Sequence, residues 1–238
     1  MIGKDGMTLL FVPNGDFIMG SGNGDSDEKP IHTVDLDAFW IDKTEVTNAM
    51  YEECVQDRVC KLPSSTKSYA RDSYYGNSEF DNHPVIYVSW EDAKAYCAWT
   101  SRRLPTEAEW EKAARGTEGR TYPWGKDAPN FHLLNYDRNV EDTTEVGKYP
   151  NGASPYGALD MAGNVAEWVK DWYDETYYNN SPLSNPKGPI LLSGLYRVRR
   201  GGSWSDDGND IHSSARDRYL PNVTVSYVGF RCAKSATP

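Results

Sequence analysis

The chain has 238 residues, with 25 Lys and Arg against 35 Asp and Glu, giving a formal charge of −10. Gripping a phosphate backbone needs a basic face, so no nucleic-acid partner is expected. The mean hydropathy is −0.71 and the apolar runs are only a few residues long. A membrane-spanning helix needs about 20 apolar residues in succession, so no membrane span is expected either.

In chain order, MIGKDGMTLLFVPNG lacks the charged-then-apolar layout of a secretory leader, so the chain is expected either to have been trimmed or to stay inside the cell. Residues 7–20 read as two short strands around an Asn14–Gly15 turn, residues 20–30 as a polar loop, and the alternation over 32–42 as a strand. A first helix is expected from the N-cap Thr47, with Met50, Tyr51, Cys54 and Val55 on one face. A second starts at Ser89, with Asp92 three residues on, and runs to about Thr100. A third follows the capping box Thr106-x-x-Glu109 and continues to Arg115. Arg103, Glu107, Glu109 and Arg115 mix charge into packed segments and are expected to form a structural ion-pair network. From Gly116 onward Gly, Pro, Asn and Asp recur every few residues, which predicts turns, loops and short strands. Eight Trp, 16 Tyr and 20 Gly fit a loop-rich domain held by aromatic anchors. The expectation is a single α+β domain over 1–238.

The four cysteines are Cys54, Cys60, Cys97 and Cys232. The short Cys54–Cys60 loop is one natural bridge, which leaves Cys97 for Cys232; four buried thiols in a reducing compartment is the alternative. Disulfides would favour an extracytoplasmic or surface location.

One family gathers most of these signals. FIMGS at 17–21, EKPIHTV at 28–34, FWIDKTEVTNAMY at 39–51 and HPVIYVSWEDAKAYCAW at 83–99 are followed by RLPTEAEWEKAARG at 103–116 and YPWG at 122–125. YGALDMAGNVAEWVKDW at 156–172, RGGSW at 200–204 and VGFRCA at 228–233 complete the series. In this order the set resembles the formylglycine-generating-enzyme (sulfatase-modifying factor) family over nearly the whole chain. The resemblance implies a C-type-lectin-like α+β fold rich in irregular structure, and it supports the Cys97–Cys232 bridge. It also implies structural calcium, with Asp160, Gly163, Val165 and Glu167 as one ligand set. Asn135, Tyr136 and Asp142, with Thr144, would form a second.

The family's chemistry needs two thiols shortly after the GGS motif to bind copper(I), for which thiolates are the suitable ligands. Here the first position is Asp206 and the second falls near Ile211, with no cysteine between 98 and 231. Copper and formylglycine formation are therefore not expected. GGSWS is not a nucleophile elbow, and a Ser203–His212 pair has no acidic partner in view. The segment SDDGND lacks the spacing and terminal Glu of an EF-hand loop. The four His residues have no zinc-ligand spacing.

From Ser205 to Ala233 there is no Lys, Glu, Gln, Met or Trp. Those are the residues that cannot arise by substituting only the adenines of AAC or AAT codons. The segment YRVRRGGSW…RxR…P…VGFRC resembles the variable region of diversity-generating-retroelement proteins built on this fold. The expected function is a non-catalytic ligand-binding protein, displaying Ser205, Asp206, Asn209, Asp210, Asp217, Tyr219, Val223, Val225, Ser226 and Tyr227 as a diversified surface. Aromatic and small polar residues together suit adaptable recognition. The expected partner is a protein ligand on another cell, phage or host surface rather than a small molecule. The acidity of the surface favours a cationic patch on it. A non-diversified accessory relative and an oxidoreductase using other residues are the alternatives.

Overall fold

A computed structural model describes residues 1–190 and 195–236. Three helices carry the caps read from the sequence. In α1 (Asn48–Gln56), Thr47 Oγ1 accepts the Met50 N–H. In α2 (Trp90–Trp99) and α3 (Glu107–Arg115), Ser89/Asp92 and Thr106/Glu109 form reciprocal capping boxes, satisfying donors that a bare helix start would leave orphaned.

The strands among the described residues form three small sheets. β1 (Leu9–Val12), β4 (Phe39–Asp42) and β9 (Ala233–Ser235) make one, and β2 (Gly15–Met19) pairs with β3 (His32–Leu36). The third has the order β7 (Arg216–Tyr219), β6 (Arg197–Arg200), β5 (Ala166–Trp172), β8 (Val228–Phe230), with β5 and β8 parallel.

One sequence expectation is refined here and a second is corrected. β1 and β2 flank Asn14–Gly15 but do not pair with each other. The Lys112 ammonium of α3 donates to the Pro13 and Gly15 carbonyls (2.9 and 2.6 Å), so the bend belongs to the helix rather than to a hairpin. The alternating stretch 32–42 is two strands in different sheets. It breaks where the Asn185 side-chain oxygen accepts the Asp37 N–H (3.0 Å).

β5 separates two cores. Its period-two alternation sends Trp168 into a core with α1, α2 and Phe230, and Val169 into another with α3, β2 and β4. Both disulfides are present, Cys54–Cys60 and Cys97–Cys232; the second joins α2 to the junction between β8 and β9. The expected ion-pair network is present and mostly continuous, because Glu111 also meets Arg200 and only the Arg103–Glu109 pair stands apart. Arg103 holds Glu109 and Arg115 holds Glu111, while Glu107 faces Arg216 and Arg200. No described helix is long and apolar enough to cross a membrane.

Candidate functional site

The site is built where the chain leaves β6. Gly201 and Gly202 have φ of 92° and 63°, a region that favours glycine. A Cβ on Gly202 would lie 2.8 Å from the Asp210 carbonyl oxygen, so the turn closes only without a side chain. Next, Ser203 donates both its N–H and its hydroxyl to the Asp206 carboxylate (2.9 and 2.8 Å). Asp206 thus caps the turn from the position where the family's chemistry would place a thiol. Trp204 is 1% exposed and donates its indole N–H to the Ser226 carbonyl (3.3 Å), with the exposed Tyr69 ring against it at 5.0 Å. The neighbouring loop fastens the segment through Asp137 N–H to Asp206 O and Arg138 N–H to Trp204 O.

Beside this turn the Tyr219 and Tyr227 hydroxyls are 2.6 Å apart. Burial and the hydrogen bond to Tyr219 push the Tyr227 pKa up to about 12. The Arg199 guanidinium lies 4.3 Å from the Tyr219 ring centre and 5.4 Å from that of Tyr227, and pairs with Asp217. Arg199, Gly202, Asp206, Asp210 and Asp217, together with Asp25, line a cleft of about 260 Å³.

The structure therefore gathers Asp206, Asp210, Asp217 and, through Arg199, Tyr219 and Tyr227. Ser205 adjoins them on the Ser203 hydroxyl (3.0 Å), and Asn209 is exposed on the loop, its N–H donated to Asp207. Three expected members do not join this group. Ser226 is buried, with its carbonyl under Trp204. Val225 packs toward the α1–α2 core, and its carbonyl accepts the Tyr87 N–H. Val223 sits in a turn closed on Leu220, next to Asn222 and Thr224 of a separate 450 Å³ groove that includes Trp172 and Arg197. Arg199 and Asp25 were missed. Arg199 was legible in principle: adjacent residues of a strand face opposite sides, and Arg200 is committed to Glu107 and Glu111. Ser203 and His212 make no pair, since the imidazole meets Ser214 (3.3 Å) and Glu28 (3.8 Å) instead.

The two expected calcium sets behave differently. Asp142, the anionic member of the set with Asn135 and Tyr136, accepts from the Ser68 hydroxyl, the Ala70 N–H and the Thr143 N–H, and faces Arg71 at 3.2 Å. Asn135 donates its amide to the Asp142 carbonyl, the Tyr136 hydroxyl donates to Pro129, and the Thr144 N–H is donated to Asn164. The Asp142 carboxylate is thus already neutralised and saturated, while the Asn135 side-chain oxygen is buried without a partner.

The Asp160 set is the more anionic of the two. Asp160, Glu45 and Glu167 are all buried, and Arg231, bidentate on Glu167 at 2.7 Å, is the cation beside them. Glu45 Oε2 is buried without a partner. Burial raises the pKa of Glu45 well above its ordinary value and raises that of Asp160, the negative charges nearby adding to both. Three carboxylates against one guanidinium leave room for a hard cation. Among the described residues no three acidic, His or Cys side chains converge so as to hold a metal ion, so a cation here would rest on at most two of these carboxylates, with backbone carbonyls such as those of Gly163 and Val165 completing its shell.

Residues 3–236 match the sulfatase-modifying factor enzyme 1-like domain. The chain is 38% identical over 239 residues to the serine/threonine-protein kinase Pkn1 of Chlamydia trachomatis, covering 95% of this chain and 38% of that protein. It thus spans less than two fifths of the kinase relative's length. To the formylglycine-generating enzyme of Streptomyces coelicolor it is 34% identical, covering 94% of this chain and 88% of the enzyme. Treponema denticola variable protein 1 superposes with a TM-score of 0.80 at 27% identity, over 96% of this chain and 95% of that one. PvdO from Pseudomonas aeruginosa gives 0.83 at 25% identity, over 98% and 95%. The α+β, C-type-lectin-like fold of the formylglycine-generating-enzyme type is the one observed.

Proposed function

The chain belongs to the sulfatase-modifying factor family, and from that premise we propose that it is a non-catalytic, ligand-binding member whose 205–227 face is diversified. One observation carries the reading. Asp206 occupies the first thiol position as a turn cap, and all four cysteines are held in disulfides. A copper(I) dithiolate has no ligands to form from. The scaffold around the turn is nonetheless kept intact, as a display surface requires. The likeness to a Treponema denticola variable protein and the gap in residue types after Trp204 support diversification. The two disulfides are compatible with the extracytoplasmic setting in which a protein on another cell, phage or host surface would be met. Sequencing the DNA around the gene tests this. We expect a near-copy of the last ~30 codons, differing mainly at adenines and lying beside a reverse transcriptase gene. If no such copy exists, the diversified reading falls and an accessory role takes its place.

The same reading includes one structural calcium, held by Asp160 with Glu45 and nearby carbonyls, where it would supply the charge that Arg231 alone does not. A bound ion at a hundred-fold excess over its Kd stabilises by about 2.7 kcal/mol, or roughly 5–10 °C for a chain of this size. Chelation is expected to lower the melting temperature by that amount and calcium to restore it. An unchanged melting temperature would remove the ion from the proposal.

A further inference from the structure

The cleft beside β6 is unbalanced in two ways. Of its two arginines, Arg199 is paired with Asp217, and Arg216 is held by both oxygens of Glu107 (2.7 and 3.1 Å). That leaves Asp25, Asp206 and Asp210 without an ion pair among the described residues, and all three line the cleft. The second imbalance is in Arg199 itself. It is 6% exposed, and while Nη2 meets Asp217, Nε and Nη1 are buried with no acceptor. A buried donor without a partner is uncommon in a folded protein.

A ligand with only a positive charge leaves the Arg199 donors unmet, and one with only a negative charge faces three carboxylates. A ligand that carries a cation a few bonds from a carbonyl oxygen answers both. The cleft's 260 Å³ holds about nine groups of water size at ~30 Å³ each, the bulk of a single amino-acid residue. We propose that this cleft takes one basic residue of a protein partner, lysine or arginine, with its charged head against Asp206 and Asp210 and its main-chain carbonyl accepting from Arg199. The proposal deepens the binding reading above and rests on it. Partial desolvation in the cleft, with the neighbouring Asp206, Asp207 and Asp217, raises the Asp210 pKa.

An amide NMR titration of the full chain with Nα-acetyl-L-lysinamide tests the assignment. We expect saturable shifts at Gly201, Gly202 and Asp210 with a Kd on the order of 1 mM, and none with Nα-acetyl-L-norleucinamide, which has the shape without the charge. Asp210 is exposed and caps nothing, so Asp210→Asn and Asp210→Lys should melt as the wild type does. The first is expected to weaken binding about five-fold and the second to abolish it. Equal binding of the norleucine analogue, indifference to both variants, or no saturation by ~50 mM would each overturn the proposal. Free L-lysine binding about ten-fold tighter than the blocked form would also overturn it, by placing a free amino acid in the cleft. The binding reading fails separately. An adenine-varied repeat with no lysinamide binding sinks only the cleft assignment, whereas binding without a repeat sinks only diversification.

Discussion

Asp171 in β5 is 3% exposed and accepts the Glu107 N–H at the start of α3 (2.9 Å). Burial, reinforced by the charge of Glu107, pushes its pKa from 3.8 to about 8. In the unfolded chain the proton is lost near 3.8, whereas the folded chain keeps it to about pH 8. The proton therefore favours the fold fully below pH 3.8, and that advantage is lost as pH rises to about 8, at roughly 1.4 kcal/mol per unit. Asp171→Asn has no proton to lose and keeps the acceptor. Its melting temperature is expected to gain on the wild type steadily between pH 4 and 8; a difference flat across that range would refute the assignment. Nothing local marked Asp171, because its burial and the Glu107 charge beside it come from tertiary packing against a helix start 64 residues away. Glu45, meeting Asn164 across 119 residues, escaped notice for the same reason. Asp206 was legible because its meaning lay in a short motif, three residues from the Ser203 it caps.

Elements divide along the same line. The helices were legible because a cap is written within four residues. Thr47, Ser89 and Thr106 each announce one and each accepts the N–H three positions on. The sheets were not, because their pairing is long-range. β4 pairs with β9 almost two hundred residues later, and β5 takes β6 on one side and parallel β8 on the other. Asn14–Gly15 has the composition of a hairpin turn, yet a lysine from α3 claims its carbonyls. α3 carries this to an extreme. All nine of its residues are buried, charged ones included. Glu111 accepts from Gly20 N–H and Arg115 (2.8 Å each) and faces Arg200. Burial works to raise the Glu107 pKa, but Arg216 and Arg200 outweigh it and hold that carboxyl below its ordinary value. Through Glu107, Glu111 and Arg200, α3 fixes the end of β6 from which the candidate site departs. Sequence pattern showed a helix there but not its use as a platform.

For the molecule as a whole, the question is what keeps small sheets and long loops together. The Cys97–Cys232 bridge spans 135 residues of chain and joins α2 to the junction between β8, in one sheet, and β9, in another. Arg103 and Ala233 exchange both backbone hydrogen bonds next to it (2.9 and 2.7 Å), so the cross-link lies on a contact that the fold makes anyway. In the chain-entropy picture, closing so long a loop lowers the freedom of the unfolded state by about 4–5 kcal/mol, against roughly 2–3 kcal/mol for the six-residue separation of Cys54 and Cys60. At about 2–4 °C per kcal/mol for a chain of this size, replacing both Cys97 and Cys232 by Ala is expected to lower the melting temperature by roughly 10–20 °C. Replacing Cys54 and Cys60 should cost about half as much. Thermal melts of the two double variants check this. Cys54, Cys97 and Cys232 are all fully buried and Cys60 nearly so, so the packing lost is similar in the two cases and the difference between them reports loop length. Equal losses would mean that the bridges act through local packing, leaving the sheets to be held by their cores alone.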